Sequence, residues 1–415
     1  MPAPRAKTIL ALLLAPFVLL ALFVPSLWLY MRTTATTLHP NPATIPASPS
    51  APAPPQLARA LDQTRQILRL GLAEQNLPAL SAAIGHNGSL IYAEAFGYAN
   101  LEKHTPLTPQ HRLRIGTLSQ TFTATAVALL LEQGRLSLDD EIQAHVPAFP
   151  DKSAPITLRH LLAHQSGLLP DGEDESELFS RHCARPVDAF PHFAQHPLIF
   201  PPGSQFSPTP FGYILLAAAL ESASGQPFPD LLRDRIFTPL AMHDTHPDLP
   251  AIPNRAFSYF PRFMANPQYG LHDLRPLDYS CYSGSSALLS SPSDLVRFAL
   301  ALQSGKLLRP ATLKLFQTGQ PLASGQPTTY ALGWDLETVT IAGRSSPAIG
   351  NEGDILGGPT ASLWIFPEHH LTIALASNIS YADTFTLATR IARAFAETQA
   401  TRIARAFAET QPSRQ

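Results

Sequence analysis

The chain has 415 residues and a formal net charge of -2, with 29 Lys and Arg against 31 Asp and Glu. Its length and its 45% hydrophobic content allow one large domain or two average ones. The near balance of charge, without a basic cluster, argues against a nucleic-acid partner. Charged residues make up only 14% of the chain and 42 residues are proline, which fits an exported protein.

The N-terminal segment predicts a transmembrane helix. No residue from Thr8 to Met31 is charged, and a helix over this run would be about 36 Å long, enough to cross a bilayer. Arg5 and Lys7 precede the run, which predicts a cytoplasmic N-terminus and an extracytoplasmic (periplasmic) domain. A cleaved signal peptide is the alternative, although the apolar run is longer than a usual signal core. We expect residues 1–31 to anchor the protein in the membrane.

Residues 32–56 are rich in Pro, Ala and Thr and predict an extended linker between membrane and domain. The two cysteines, Cys183 and Cys281, would lie in an oxidising compartment after export. They could form a disulfide or remain two separate buried thiols, and the sequence leaves both alternatives open.

The apolar pattern predicts one composite α+β domain over residues 57–399. An amphipathic helix is expected from Leu57 to Gln75, and Asn87-Gly88 between two apolar runs predicts a β-hairpin. Helices and loops dominate residues 113–320, so we expect a mainly helical region inserted into an antiparallel sheet. The strands that return to this sheet are predicted at Ala331–Leu336, Ala361–Phe366 and Leu371–Ser377.

The C-terminus contains a duplication, in which Thr389–Gln399 recurs as Thr401–Gln411. In one straight helix, this twelve-residue offset would rotate the second copy by about 120° from the first. Both copies could not then face the same core. We expect the first copy to close the domain and residues 400–415 to be a frayed duplicate.

Several sequence blocks occur in an order that is specific as a set, although each block alone is weak. They are Leu77 to Ser81, Phe96 to Ala99, Leu113 to Ala124, Ile156 to Leu168, Phe200 to Ser207, Phe237 to Met242 and Ala331 to Trp334. With these blocks the chain resembles the serine β-lactamase and penicillin-binding-protein superfamily, in particular its class C-like hydrolases. The resemblance implies a β-lactamase/transpeptidase-like fold and three active-site motifs.

The first implied motif is Ser-x-x-Lys, in which the lysine takes the proton of the serine nucleophile. Here Thr117 stands at the serine position and Gln120 at the lysine position. Glutamine has no titratable group and cannot act as this base. Ser119, two positions further on, should point elsewhere around the helix.

The other two implied motifs also differ. Pro208 and Pro210 stand where Tyr-x-Asn is expected, which removes a proton relay and a substrate-binding amide. Asn351 stands in place of the cation of Lys-Thr-Gly or His-x-Gly, Glu352 adds negative charge, and Gly353 is kept. An oxyanion hole of backbone N–H groups could survive these changes.

Two other readings of these residues are open. Thr-x-x-Gln is also a capping-box pattern, so Thr117 could cap the following helix while Gln120 reaches back. His160 and His164 have the i, i+4 spacing of metal ligands, but the sequence offers no clear third ligand. We therefore predict no metal and no cofactor.

Taken together, the sequence predicts a membrane-anchored, catalytically degenerate homologue of serine hydrolases that acts by binding or scaffolding. A cell-envelope peptide or ester is the expected type of ligand. Its vestigial active-site positions would be Thr117, Gln120, Pro208, Pro210, Asn351 and Gly353. The alternatives are an active esterase or peptidase that uses another base and a metal-binding enzyme.

Overall fold

The computed structural model describes residues 6–49, 55–170, 178–249, 252–274, 277–353 and 360–410. Ten α-helices lie in these ranges: α1 Ala6–Thr33, α2 Ala58–Glu74, α3 Ser119–Glu132, α4 Ile142–His145, α5 Leu158–Leu162, α6 Pro210–Ser224, α7 Phe228–Leu232, α8 Pro292–Gln303, α9 Pro310–Phe316 and α10 Thr384–Thr410. The strands are β1 Ala47–Pro49, β2 Ala79–His86, β3 Ser89–Asn100, β4 Thr105–Pro106, β5 Leu113–Arg114, β6 His246–Pro247, β7 Tyr259–Pro261, β8 Leu271–Asp273, β9 Leu288–Ser290, β10 Asp335–Ile341, β11 Arg344–Gly353, β12 Ala361–Phe366 and β13 Leu371–Ser377.

The main sheet has eight strands within the described residues. Its order is β1-β3-β2-β13-β12-β11-β10, with β4 paired to β3, and its paired strands are antiparallel. Strands from both ends of the domain therefore meet in one sheet, and helices α3 to α9 lie between them in the chain. The antiparallel sheet with an intervening helical region agrees with the predicted α+β fold.

The sheet is buried on both faces. In β2, Leu80 and Ile84 belong to one apolar cluster, which also contains Leu61 of α2 and Phe395 of α10. The intervening small residues Ala79 and Ala83 lie in the other cluster, with helices α3, α6 and α8. This alternation follows from the two-residue period of a strand.

The hairpin between β2 and β3 forms at the predicted turn. Asn87 and Gly88 have φ angles of 48° and 78°, as a two-residue turn with positive φ at both central positions requires. His86 pairs with Ser89 across this turn.

The structure departs from the sequence predictions at both termini. Among the described helices, none is long and apolar enough to cross a membrane, so the predicted transmembrane helix is not found. At the other end, α10 is helical to Thr410, where we expected a frayed duplicate. Ile391 and Phe395 of the first copy are buried, and the side chains of residues 399–410 lie outside the description. The open question about the cysteines is answered by a disulfide between Cys183 and Cys281.

Candidate active site

A cavity of about 160 Å³ lies where the first turn of α3, the start of α6 and strand β11 meet. Its lining residues are Thr117, Gln120, His164, Phe206, Pro208, Thr209, Pro210, Tyr330, Asp335, Asn351 and Glu352. Five of the six predicted site positions are thus brought together around one cavity. The sixth, Gly353, does not line it.

Gly353 instead lets β11 approach the turn that carries Thr117. A Cβ atom on Gly353 would lie 1.9 Å from the carbonyl oxygen of Ile115 and 2.7 Å from the backbone nitrogen of Leu118. Both neighbours are backbone atoms, so no side-chain rotation could relieve the clash. The glycine is required here by close packing.

Thr117 lies in a 3₁₀ turn, Gly116–Leu118, immediately before α3. Its Oγ1 donates a hydrogen bond to the carbonyl oxygen of Glu352 at 3.4 Å. No side chain caps the N-terminus of α3, so the alternative interpretation of Thr117 and Gln120 as a capping box does not hold. The physical reason is that both side chains bond to residues distant in sequence.

Ser119 points away from the cavity, as predicted from its position around the helix. Its Oγ donates to the carbonyl oxygen of Gly116 at 2.7 Å, and the residue lines a different pocket. The side chain is therefore not placed to replace Thr117 as a nucleophile.

Gln120 is 3% exposed, and its amide bonds to three residues from distant parts of the chain. Its Nε2 donates to Ser285 Oγ at 3.2 Å. Its Oε1 accepts from His164 Nε2 at 3.1 Å and from the Tyr330 hydroxyl at 3.4 Å. The position implied for a catalytic lysine therefore holds a neutral side chain whose donor and acceptor are both engaged.

His164 completes this arrangement in one defined tautomer. Its Nδ1 accepts the backbone N–H of Thr209 at 3.3 Å, so the ring proton must reside on Nε2, which donates to Gln120. Complete burial lowers the pKa of His164 to about 3, because desolvation disfavours the imidazolium. The imidazole is neutral at physiological pH, and both ring nitrogens are already bonded.

His160 and His164 do not form a shared ligand site. His160 is the third residue of α5, where its backbone N–H donates to Thr157 Oγ1 and its Nδ1 accepts the Thr157 N–H. This capping box explains His160 without a ligand. In the described part of the chain, no group of three or more His, Cys, Asp or Glu side chains could hold a metal ion.

Pro208, Thr209 and Pro210 form the start of α6. Thr209 is the N-cap, and its Oγ1 accepts the N–H of Phe211 at 3.3 Å. Pro210 is the first helical residue, a position where its missing N–H costs nothing. The segment at which the family pattern places a tyrosine and an asparagine thus serves to begin a helix.

Glu352 lines the cavity but its carboxylate is held by α10. Oε1 accepts from Thr384 Oγ1 at 2.6 Å, and the backbone N–H groups of Thr384 and Phe385 also donate to the carboxylate. Burial nevertheless raises the pKa of Glu352. Its carboxylate therefore has a structural role at the start of a helix.

Asp335 is a cavity residue that the sequence analysis missed. It is the first residue of β10, pairs with Gly350 of β11, and accepts a hydrogen bond from the backbone N–H of Glu352. Burial, together with the nearby carboxylates of Glu337 and Glu352, raises the pKa of Asp335 to about 7. An acidic residue directly after the apolar run Ala331–Trp334 was the available signal.

Comparisons with known proteins agree with the fold. A family profile described as beta-lactamase matches residues 64–396. The chain belongs to the beta-lactamase family. The mouse serine beta-lactamase-like protein LACTB, mitochondrial, is 27% identical over 396 residues, covering 72% of this chain and 71% of that protein.

Other beta-lactamase-like proteins give a similar result. Penicillin-binding protein 4* of Bacillus subtilis is 29% identical over 311 residues, covering 70% of this chain and 66% of that protein. The crystal structure of the D-amino acid amidase of Ochrobactrum anthropi superposes with a TM-score of 0.69 at 24% identity, over 82% of this chain and 99% of that one. At this identity the structural likeness concerns the fold alone.

Within this beta-lactamase fold, five of the six motif positions inferred from the sequence line one cavity. The residues at those positions supply no lysine, no catalytic tyrosine and no cation. Gln120 and His164 instead form a neutral hydrogen-bond network beneath Thr117. Asp335 also lines the cavity, and its pKa is about 7.

Proposed function

We propose that this protein is a beta-lactamase-family member that has lost serine-hydrolase catalysis and binds a ligand in the Thr117 cavity. The observation that carries the proposal is that Gln120 is uncharged and hydrogen-bonded through both its amide nitrogen and its amide oxygen. Its neutral amide stands at the base position and is hydrogen-bonded to Ser285, His164 and Tyr330. A nucleophile at Thr117 would therefore have no base at the position where this family places one.

Covalent labelling tests this proposal. The purified full chain is treated with a fluorophosphonate and, separately, with a fluorescent penicillin, alongside Thr117→Val and Ser119→Ala variants. We expect no labelling that depends on Thr117. Labelling that Thr117→Val abolishes and Ser119→Ala leaves intact would overturn the proposal, and the reverse pattern would do so as well by placing the nucleophile at Ser119.

A second candidate is a divergent hydrolase in which Asp335 serves as the base. It is favoured by one observation: Asp335 lines the same cavity as Thr117 and has a pKa of about 7, where general bases work well. This candidate predicts hydrolysis of short acyl esters that rises with pH through about 7 and is abolished by both Asp335→Asn and Thr117→Val. Absence of turnover in the unmodified chain would exclude it.

We also propose that the domain works in an extracytoplasmic compartment. The support is the Cys183–Cys281 disulfide, because such bonds persist mainly in oxidising environments. Mass determination of the chain isolated from its native cell, under non-reducing conditions and after thiol blocking, tests this. Two blocked thiols would refute it.

A further inference from the structure

Above about pH 7, where Asp335 is ionised, the described lining of the Thr117 cavity carries negative charge and no basic partner for it. Its described lining contains the carboxyl groups of Asp335 and Glu352 but neither lysine nor arginine. His164, the remaining titratable nitrogen group, is neutral because of its burial. An anionic ligand would therefore meet repulsion in this cavity.

Of the two carboxyl groups, Asp335 is the one with acceptor capacity left. Glu352 is engaged by the hydroxyl and backbone N–H groups at the start of α10. Asp335 receives one hydrogen bond, from the Glu352 N–H, and no ion pair with Asp335 occurs among the described residues. A carboxylate has about four acceptor sites, so most of them are available to a ligand.

Aromatic rings surround the same space. The ring centroids of Phe206 and Tyr330 are 5.5 Å apart, and that of His164 lies 5.0 Å from Tyr330 and 6.2 Å from Phe206. The backbones of Tyr330 and Asp335 pair through an isolated bridge, and both residues line the cavity. Phenyl and phenol faces attract cations in addition to packing against apolar groups.

The turn from Tyr330 to Asp335 is held in place by α3. Thr121 Oγ1 donates to the carbonyl oxygen of Gly333 at 3.0 Å. A Cβ atom on Gly333 would lie 2.5 Å from the Cβ of Ala124, and its φ of 85° is a conformation that favours glycine. The carboxylate is thus presented from a fixed backbone.

From these features we infer that the Thr117 cavity binds a small amine, with the ammonium group on Asp335 and an apolar body against Phe206 and Tyr330. The inference rests on the proposed binding function and names its ligand class. A cavity of about 160 Å³ is similar in size to an engineered cavity of roughly 150 Å³ that accepts benzene. The bound part of the ligand is therefore about as large as one ring with its amino substituent.

Three ligands of similar size test this inference: benzylamine, benzyl alcohol and benzoate. Calorimetric titration of the full chain at pH 8.5 should give the tightest binding for benzylamine. A charge-assisted hydrogen bond contributes about 1.5–3 kcal/mol, so we expect roughly ten- to hundredfold weaker binding of benzyl alcohol and no binding of benzoate. Equal affinities for amine and alcohol, or preferred binding of benzoate, would overturn the inference.

Substitutions distinguish the contact of the ammonium group with Asp335 from the contact of the apolar body with Phe206. Asp335→Asn should remove the preference for amine over alcohol, whereas Phe206→Ala should weaken both ligands to a similar extent. Asp151→Asn, the same change at an exposed aspartate, should leave all affinities unchanged. An amine preference that persists in Asp335→Asn contradicts the inference, and urea unfolding of each variant confirms that it is folded.

The amine titrations and the covalent-labelling test of the proposed function can fail independently of each other. Covalent labelling through Thr117 would refute the loss of catalysis without affecting the amine measurements. Conversely, failure of benzylamine to bind would refute the ligand class and leave the absence of labelling as it stands.

Discussion

Replacing Asp335 by Asn should stabilise the protein, and the gain should grow as the pH rises from 3.8, the ordinary pKa of the carboxyl group, to its folded pKa of about 7. Its folded pKa of about 7 lies well above its ordinary value of 3.8, so between these values the folded chain binds a proton that the unfolded chain releases. Folding stability supplied by the protonated form is therefore lost as the pH rises towards 7. At 1.36 kcal/mol for each pKa unit, the loss approaches about 4 kcal/mol.

Asparagine keeps the shape and can still accept the Glu352 N–H, but it carries no charge. We expect the variant to exceed the unmodified chain in unfolding free energy by up to about 4 kcal/mol at pH 8, and by only about 1 kcal/mol at pH 4.5. Urea unfolding followed by tryptophan fluorescence measures both values. Asp151→Asn serves as the control, with no pH-dependent change.

The reasoning would be refuted by an Asn variant that is less stable at pH 8 or gains the same amount at both pH values. The first result would mean that the carboxylate has a compensating partner. The second would mean that Glu337 and Glu352, the carboxylates that face Asp335, titrate in its place.

Three further changes have expected outcomes in the same unfolding assay. Gly353→Ala should lower the unfolding free energy by about 1–3 kcal/mol, because its Cβ would collide with the carbonyl oxygen of Ile115; an unchanged midpoint would contradict the close packing. Gln120→Ala should cost about 1–3 kcal/mol, because the buried imidazole and phenol lose their acceptor, whereas Gln120→Glu, tested below pH 4, should cost less. Replacing Cys183 and Cys281 by Ala should cost about 2–5 kcal/mol, since the disulfide joins residues 98 apart in sequence; the loss should disappear when both proteins are compared in reductant.

Much of the fold was predictable because it depends on local patterns. The strands Ala361–Phe366 and Leu371–Ser377 were predicted with the observed bounds, and the helix expected at Leu57–Gln75 is α2. Strand β11, Arg344–Gly353, was not assigned from its pattern. It contains Pro347 and two glycines, which weaken the strand signal, and it is held by pairing with β10 and β12.

The site was predictable in part, for a similar reason. The order of motifs along the chain located Thr117, Gln120 and Asn351 around one cavity. What Gln120 contacts was not predictable, because its partners His164, Ser285 and Tyr330 are 44, 165 and 210 residues away in sequence. The capping-box interpretation was wrong for the same reason: a local sequence pattern does not show which distant residues will bond to the side chain.

The hydrogen-bond network of Gln120 also disfavours a lysine at position 120. His164 Nδ1 is committed to the Thr209 N–H, so Nε2 must donate, and it needs an acceptor at position 120. A lysine ammonium group has no acceptor. A single Gln120→Lys substitution would therefore place the ammonium group and the His164 Nε2–H, both hydrogen-bond donors, opposite each other unless His164 or the start of α6 also changed. Residue 120, His164 and the start of α6 are therefore coupled, and a lysine at this position requires a second substitution elsewhere in the network.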